Sequence, residues 1–410
     1  MTLTDRLPAT FASLRYPNYR RWFIGQALSL MGTWMQSVAQ GWLVYQLTGS
    51  KLALGTISFA GSIPTFFLML PAGALADRIP RRRMLLITQS TMMALAFVLT
   101  ILTATGILQV WHIALLAFLL GIANSFDAPA RQALAVEMVE DRRDLQNAIG
   151  LNSTMFNLAR VVGPAVGGLV LASLGATWCF ALNGLSFGAV LIALAGMRLP
   201  EQANVLHSGR LMSQVGVGLR YVRQHKEIRA IVALVAVSGL FGMSYAVLLP
   251  AYAVDILHVG EAGLGGLNAA VGVGALFGAL IVATLSRSQR KGIQLAAGSF
   301  IFPAALICFA FSRSFAWSSF FLALAGFGFV SQNSTSNTIV QSLVPDDLRG
   351  RVMGIYSLMF FGSTPFGSLL AGSVAQAWGP VGSVLLGAGI TLLFALFIFL
   401  HVPSLRHVAA

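Results

Sequence analysis

The chain has 410 residues, 57% of them hydrophobic and only 10% charged, with a net charge of +13. Soluble domains carry roughly 25% charged residues, so a surface built for water is excluded. The basic excess sits between apolar blocks and forms no extended basic face, which argues for a membrane and against nucleic acid.

Residues 1–19 are polar, without an apolar core or a small-residue cleavage site, and predict no cleaved signal peptide. After them come apolar blocks near the ~20 residues that cross ~30 Å of hydrocarbon at 1.5 Å per residue. They predict helices at 20–43, 52–75, 84–105, 111–130, 146–173, 177–197, 228–253, 264–285, 293–312, 316–337, 351–376 and 381–401. The fold class expected is all-α: twelve transmembrane helices in two pseudo-symmetric six-helix bundles. The bundles are 1–199 and 228–410, joined by a cytoplasmic linker at 200–227.

Twelve crossings put both termini on one side, and basic residues tell which side that is. With the termini in the cytoplasm of a bacterial inner membrane, 23 of the 26 basic residues fall inside. Lys51 and Arg313 fall outside, and Arg160 falls within a helix. Trp42, Trp111, Trp178, Trp317 and Trp378 all fall at predicted outer ends, where indole suits the headgroup boundary. In the linker, Leu211, Val215, Leu219 and Val222 share one helical face, with Arg220, Arg223 and Lys226 elsewhere. That pattern predicts an interfacial helix on anionic lipid, with a solvated linker as the alternative.

The halves repeat weakly. Residues 138–141 echo 343–346, and Pro164 with Gly167 echoes Pro365 with Gly367. An internal repeat of this kind places a substrate site between the halves near the midplane.

Three segments carry a family resemblance. The loop Gly73-Ala-Leu-Ala-Asp77-Arg78-Ile-Pro-Arg81-Arg82-Arg83 resembles the signature loop of the major facilitator superfamily, with Pro80 where glycine is usual. Gly150 followed by Gly163-Pro164-Ala165-Val166-Gly167-Gly168 resembles the fifth-helix pattern of its drug–proton antiporters, with Ala159 replacing one glycine. Close helix packing alone is the alternative meaning, and Ala270, Gly274 and Gly278 of the eighth helix offer a second small stripe as partner. The run from Asn124 through Asp127, Pro129 and Arg131 resembles the exporters grouped with the enterobactin (siderophore) exporter.

The resemblance implies a gate made of Gly73, Asp77, Arg78, Arg81 and Asp127. Asp77 would meet the start of the eleventh helix near 350–353, and Arg81 would pair with Asp127. The second half lacks its own copy, because Arg287 stands where an acid would be expected.

Polar residues buried in predicted helices mark a candidate substrate path. Ser29, Thr33, Gln36 and Gln40 form one stripe; Ser153, Asn157 and Arg160 form another; Asn124, Asn333 and Asn337 add to it. Polar side chains facing lipid are costly, so these should face a wet cavity or other helices, and helix–helix hydrogen bonding competes with ligand contact for each. The sequence leaves the pairing of Arg160 open: it either binds an anionic part of the substrate or organises water and carbonyls around the Pro164 break. None of the thirteen acids sits clearly at the midplane; Asp127 and then Asp255 are the candidate proton carriers.

The function expected is proton-coupled efflux of an amphipathic small molecule, a drug or siderophore, by alternating access. A lipid or lysophospholipid flippase, or an uncoupled facilitator, shares the fold. A polytopic membrane enzyme and a scaffold are remote, since the histidines are scattered and no His/Asp/Glu constellation forms. No cofactor, metal or nucleic-acid partner is expected. Substrate, protons and membrane lipid are the expected partners of a monomer.

Overall fold

The computed structural model describes residues 9–76, 79–139, 141–197, 211–285 and 290–408. In hydrocarbon every backbone N–H and C=O must be satisfied within the segment, so apolar runs of this length become helices. They are α1 (Pro17–Thr48), α2 (Lys51–Ala76), α3 (Arg81–Ala104), α4 (Val110–Glu137), α5 (Arg142–Leu174) and α6 (Ala176–Ala195). After α7 (Leu211–Gln224) come α8 (Lys226–Ile256), α9 (Gly260–Thr284), α10 (Lys291–Phe311) and α11 (Phe315–Leu343). The last stretch, Asp346–His401, is bent at Gly379 (φ 77°) into α12 (346–378) and α13 (380–401).

Ten helices among the described residues are long and apolar enough to cross a membrane, counting Asp346–His401 once. Dividing it at Gly379 and adding the 32-residue α1, which its polar stripe keeps off that count, is consistent with twelve crossings. Several helices outrun their apolar blocks: α4 reaches Glu137 and α5 begins at Arg142. Glu137 and Asp144, expected in loops, are therefore helical. The expected continuous helix at 228–253 is broken. α8 is regular to Val237, then passes through a π turn at Ser238–Gly242, a 3-10 stretch at Met243–Leu248 and a second π turn at Tyr252–Ile256. Pro250, which lacks an N–H, sits between the last two. Such π turns recur at functional positions in helices.

Packing groups the chain into two compact units, Met1–Gln40 with Phe67–Ser208 and Gly41–Phe66 with Gly209–Ala410. The units part between residues 208 and 209, inside the expected linker, and residues 41–66 of α1 and α2 group with the second unit. In the first unit α3 packs on α4 and α6; in the second α11 packs on α9 and α10. α7 is helical as expected, but Val222 is buried in protein. A Cβ at Gly218 would come 3.0 Å from the Arg351 carbonyl, so α7 lies against the start of α12.

The internal repeat is visible in the turns. Gly175 (φ 86°) joins α5 to α6 as Gly379 joins α12 to α13. Four residues on in each case, Cys179 Sγ lies 3.7 Å from the Gly167 carbonyl and Ser383 Oγ donates to the Ala371 carbonyl at 2.9 Å. The register so defined matches Gly163 to Gly367 and Pro164 to Ser368, so Pro365 is a neighbour of the repeat position rather than its equivalent. Gly163 packs on Met31 and Trp34 of α1, and Gly367 packs on Leu240 of α8.

The fifth-helix glycines thus find their close partner in α1, with Gly167 against Met35. The small stripe Gly274 and Gly278 on α9 is taken up by Ala323 and Phe327 of α11. A side-chain-free face accepts whichever backbone lies beside it, and each of these meets one within its own unit.

A Cβ on Gly274 would sit 1.7 Å from the Ala323 carbonyl, whereas one on Gly150 would have no heavy atom within 4 Å. Gly274→Ala is expected to cost about 3 kcal/mol or more by forcing α9 from α11. It should lower the apparent Tm in detergent by several degrees while Gly150→Ala leaves it unchanged. Equal melting of the two variants would refute this packing.

Candidate functional site

Charged side chains gather along the packed pair α3 and α4. Arg81, in the first turn of α3, pairs with Glu137 in the last turn of α4 and lies 3.5 Å from the Ala133 carbonyl. Nearly three turns further in along α4, Asp127 is 2% exposed. One carboxylate oxygen accepts from Thr88 Oγ1 and Gln89 Nε2, each at 2.9 Å, and the other lies 3.7 Å from Arg131 Nε. The expected Arg81–Asp127 pair is therefore not made. Asp127 precedes Glu137 by ten residues, about 15 Å along α4, and the antiparallel register sets Arg81 beside the later acid. Arg82 donates to the Leu194 and Ala195 carbonyls at 2.9 and 3.0 Å, holding the end of α6. Gly73 is half-buried with open space beside its Cα; Asp77 and Arg78 of the expected gate lie outside the described residues.

On the α1 side, Ser13 and Tyr19 tie the entry to α1 onto α5. Ser13 N–H donates to Asn147 Oδ1 at 2.9 Å, and Tyr19 OH to Asn152 Oδ1 at 2.9 Å. Asp144 accepts from Arg15 and, at 2.8 Å, from Tyr16 OH. Burial, and then donation to Asp144, push the Tyr16 hydroxyl up from its ordinary value, so it remains a donor.

The polar stripes divide by partner. Asn183 Nδ2 of α6 donates to Gln36 at 2.6 Å and both are buried, so Gln36 serves helix–helix contact. Asn157 donates to the Ser153 carbonyl of its own helix, and Asn124 is exposed. Asn333 accepts from Tyr356 OH at 2.9 Å, and Asn337 from Gln341. Gln332, not singled out in the sequence, donates to Ser238 of α8 at 3.0 Å. Gln40 is half-buried in α1.

Arg160 lies over the Trp34 ring, 5.9 Å from its centroid, in a cluster with Phe156, whose ring is 6.1 Å from Trp34. One turn on, Gly163 and Pro164 are buried, as are Gly167 and Gly168. Pro164 lacks the N–H that would engage the Arg160 carbonyl. The indole face is a cation site for the guanidinium, worth about 0.5–2 kcal/mol depending on desolvation.

In the second unit a polar knot joins the α1–α2 turn to α8 and α12. Asp255, in the second π turn, accepts from Tyr45 OH at 2.6 Å and lies 2.9 Å from Lys51 Nζ. Lys51 also stands over the Tyr45 ring at 5.5 Å. Gln376 Oε1 of α12 accepts from the Lys51 N–H at 3.0 Å and from Ser50 Oγ at 3.3 Å. Asp255 was foreseen as a candidate; Tyr45, Lys51 and Gln376 were missed. The available signal was Lys51 itself, one of two basic residues on the minority side. Trp42 is 8% exposed and packed in protein, whereas Trp111, Trp178, Trp317 and Trp378 are 53–70% exposed, so four of the five tryptophans fit a boundary belt.

A family model described as transmembrane secretion effector matches residues 8–410. The multidrug efflux pump Tap of Mycolicibacterium fortuitum is 29% identical over 92% of this chain and 93% of its own. The staphyloferrin A transporter of Staphylococcus aureus is 27% identical over 88% and 90%, and the enterobactin exporter EntS of Escherichia coli O9:H4 is 26% identical over 96% and 93%. Among solved structures, the nucleoside transporter NupG superposes with a TM-score of 0.70 at 14% identity, covering 93% of this chain and 98% of its own. A bacterial homologue of the lysosomal transporter Spinster gives 0.70 at 12% identity, covering 97% and 96%. The chain belongs to the transmembrane secretion effector family of the major facilitator superfamily, and is a multi-pass membrane transporter rather than an enzyme.

Proposed function

We propose that this protein exports an amphipathic small molecule, a drug or siderophore, across a bacterial inner membrane by alternating access, with both termini cytoplasmic and protons flowing inward. The observation that carries the reading is similarity along nearly the whole chain to a multidrug efflux pump and to two siderophore transporters. Asp127 is the proton carrier in this reading. Gln89 supports it: its Nε2 donates to the carboxylate, while its Oε1 is buried with no hydrogen-bond partner among the described residues. Turning that amide over exchanges donor for acceptor, so one side chain serves Asp127 charged or protonated. The Arg81–Glu137 pair, with Asp77 and Arg78 beside it in sequence, forms the gate. The face built by Trp34, Phe156 and Arg160 offers a substrate an aromatic wall and a cation.

Proteoliposomes with an imposed pH gradient test this. Gradient-dependent movement of an amphipathic dye or a siderophore, abolished by a protonophore, is expected. Movement at the same rate without any ion gradient would favour an uncoupled facilitator or a lipid flippase.

A further inference from the structure

A groove of about 350 Å³ runs along the first unit, walled by α3 and α4 and by Leu75 near the end of α2. Its lining is hydrocarbon: Ile87, Leu95, Leu119 and Phe126 are typical. The two threonines in it offer a ligand little, because their hydroxyls are already engaged. Thr88 donates to Asp127 at 2.9 Å, and Thr91 to the Ile87 carbonyl at 2.9 Å. The wall thus presents methyl and methylene groups along its length.

Arg83 stands outside this lining, one helical turn before Ile87 on α3. Arg83, Ile87, Thr91 and Leu95 recur every fourth residue and so lie on one stripe of α3. Of the three arginines that open α3, Arg81 is paired with Glu137 and Arg82 holds the end of α6, while the Arg83 side chain is exposed. From Arg83 to Leu95 is about 18 Å at 1.5 Å per residue. One leaflet is about half of the ~30 Å hydrocarbon thickness. An exposed cation one turn beyond a hydrocarbon slot of about one leaflet's length is the chemical complement of an anionic phospholipid.

We propose that this groove seats an anionic phospholipid, one acyl chain lying along Ile87, Thr91 and Leu95 and the phosphate against Arg83. The seat is separate from the cargo path proposed above and does not depend on what the protein exports.

The test is native mass spectrometry of the purified full chain exchanged into vesicles of phosphatidylglycerol and phosphatidylethanolamine with identical acyl chains. Wild type is expected to retain phosphatidylglycerol about fivefold over phosphatidylethanolamine, the scale of one arginine at an anionic surface. Arg83→Gln should remove that preference, and Thr91→Trp, which fills the slot, should lower retention of both lipids. Leu119→Trp fills the slot from α4 should Thr91→Trp fail to accumulate. Equal retention of the two lipids by wild type, or an unchanged preference in Arg83→Gln, overturns the proposal. So does a filled slot that blocks dye transport but leaves lipid retention intact, which would assign the groove to the cargo.

Discussion

Asp127→Ala is expected to remove most of the folded transporter from the membrane, whereas Asp127→Asn should leave folded protein whose gradient-driven transport falls at least tenfold. The carboxylate is 2% exposed and serves Thr88, Gln89 and Arg131 at once. Alanine leaves a hydroxyl, an amide and a guanidinium without their acceptor, and breaking a buried pair in this way costs about 3–5 kcal/mol. The Arg131 side chain is 24% exposed, so the lower end of that range applies. Asparagine keeps the volume and one acceptor oxygen for Thr88 and Gln89. It removes the charge and the titrating group, and turns an NH₂ toward Arg131. If Asp127 carries the proton, substrate exchange without a gradient should survive in Asp127→Asn while accumulation against a gradient is lost. Gradient-driven transport at the wild-type rate would end the assignment of Asp127 as carrier.

Asp255→Ala is expected to free the α1–α2 turn. Asp255 accepts a 2.6 Å hydrogen bond from Tyr45 and a 2.9 Å ion pair from Lys51. A hydrogen bond to a charged group contributes about 1.5–3 kcal/mol, and an ion pair at this exposure adds less than about 1. Losing about 2 kcal/mol shifts the balance between latched and released states roughly 30-fold. The reporter is Gly41→Cys, whose Cβ would lie 3.3 Å from Pro250 Cγ in the latched arrangement. Cys179 and Cys308 are replaced by serine first, because Cys308 is exposed. Labelling by a membrane-impermeant maleimide should quicken at least tenfold in Asp255→Ala. The exchanged pair, Lys51→Asp with Asp255→Lys, should return it toward the starting rate. An unchanged labelling rate would show that the knot does not hold the α1–α2 turn against α8.

Much of the architecture is legible from local pattern alone. Apolar blocks matched to bilayer thickness placed the helices to within a few residues in most cases. The amphipathic stripe at 211–222 foretold α7. Glycines at 175 and 379 end paired helices because their φ of 86° and 77° is one that other residues resist. The break in α8 was less visible: Pro250 and the nearby glycines are common in membrane helices, and nothing in their spacing distinguishes a π turn from a regular one.

Several side chains of the candidate site stood out in the sequence, but their partners did not. Arg81 and Asp127 both stood out, yet the pairing needs the register of α3 against α4, and that register delivers Glu137 instead. Gln36 was placed on a substrate path, and Asn183 of α6 claims it. The glycines of α5 and α9 signalled close approach without saying to which helix. Lys51 drew notice only as an exception to the charge rule, and its meaning came with Tyr45 and Asp255 beside it. The sequence by itself determined the all-helical membrane class, the approximate place of most helices and the family, because hydrophobic thickness and backbone saturation act on each segment alone. The tertiary structure decided which side chains meet, because that depends on the offset and rotation of one helix against another, and a single turn of offset, about 5.4 Å, exchanges one partner for the next.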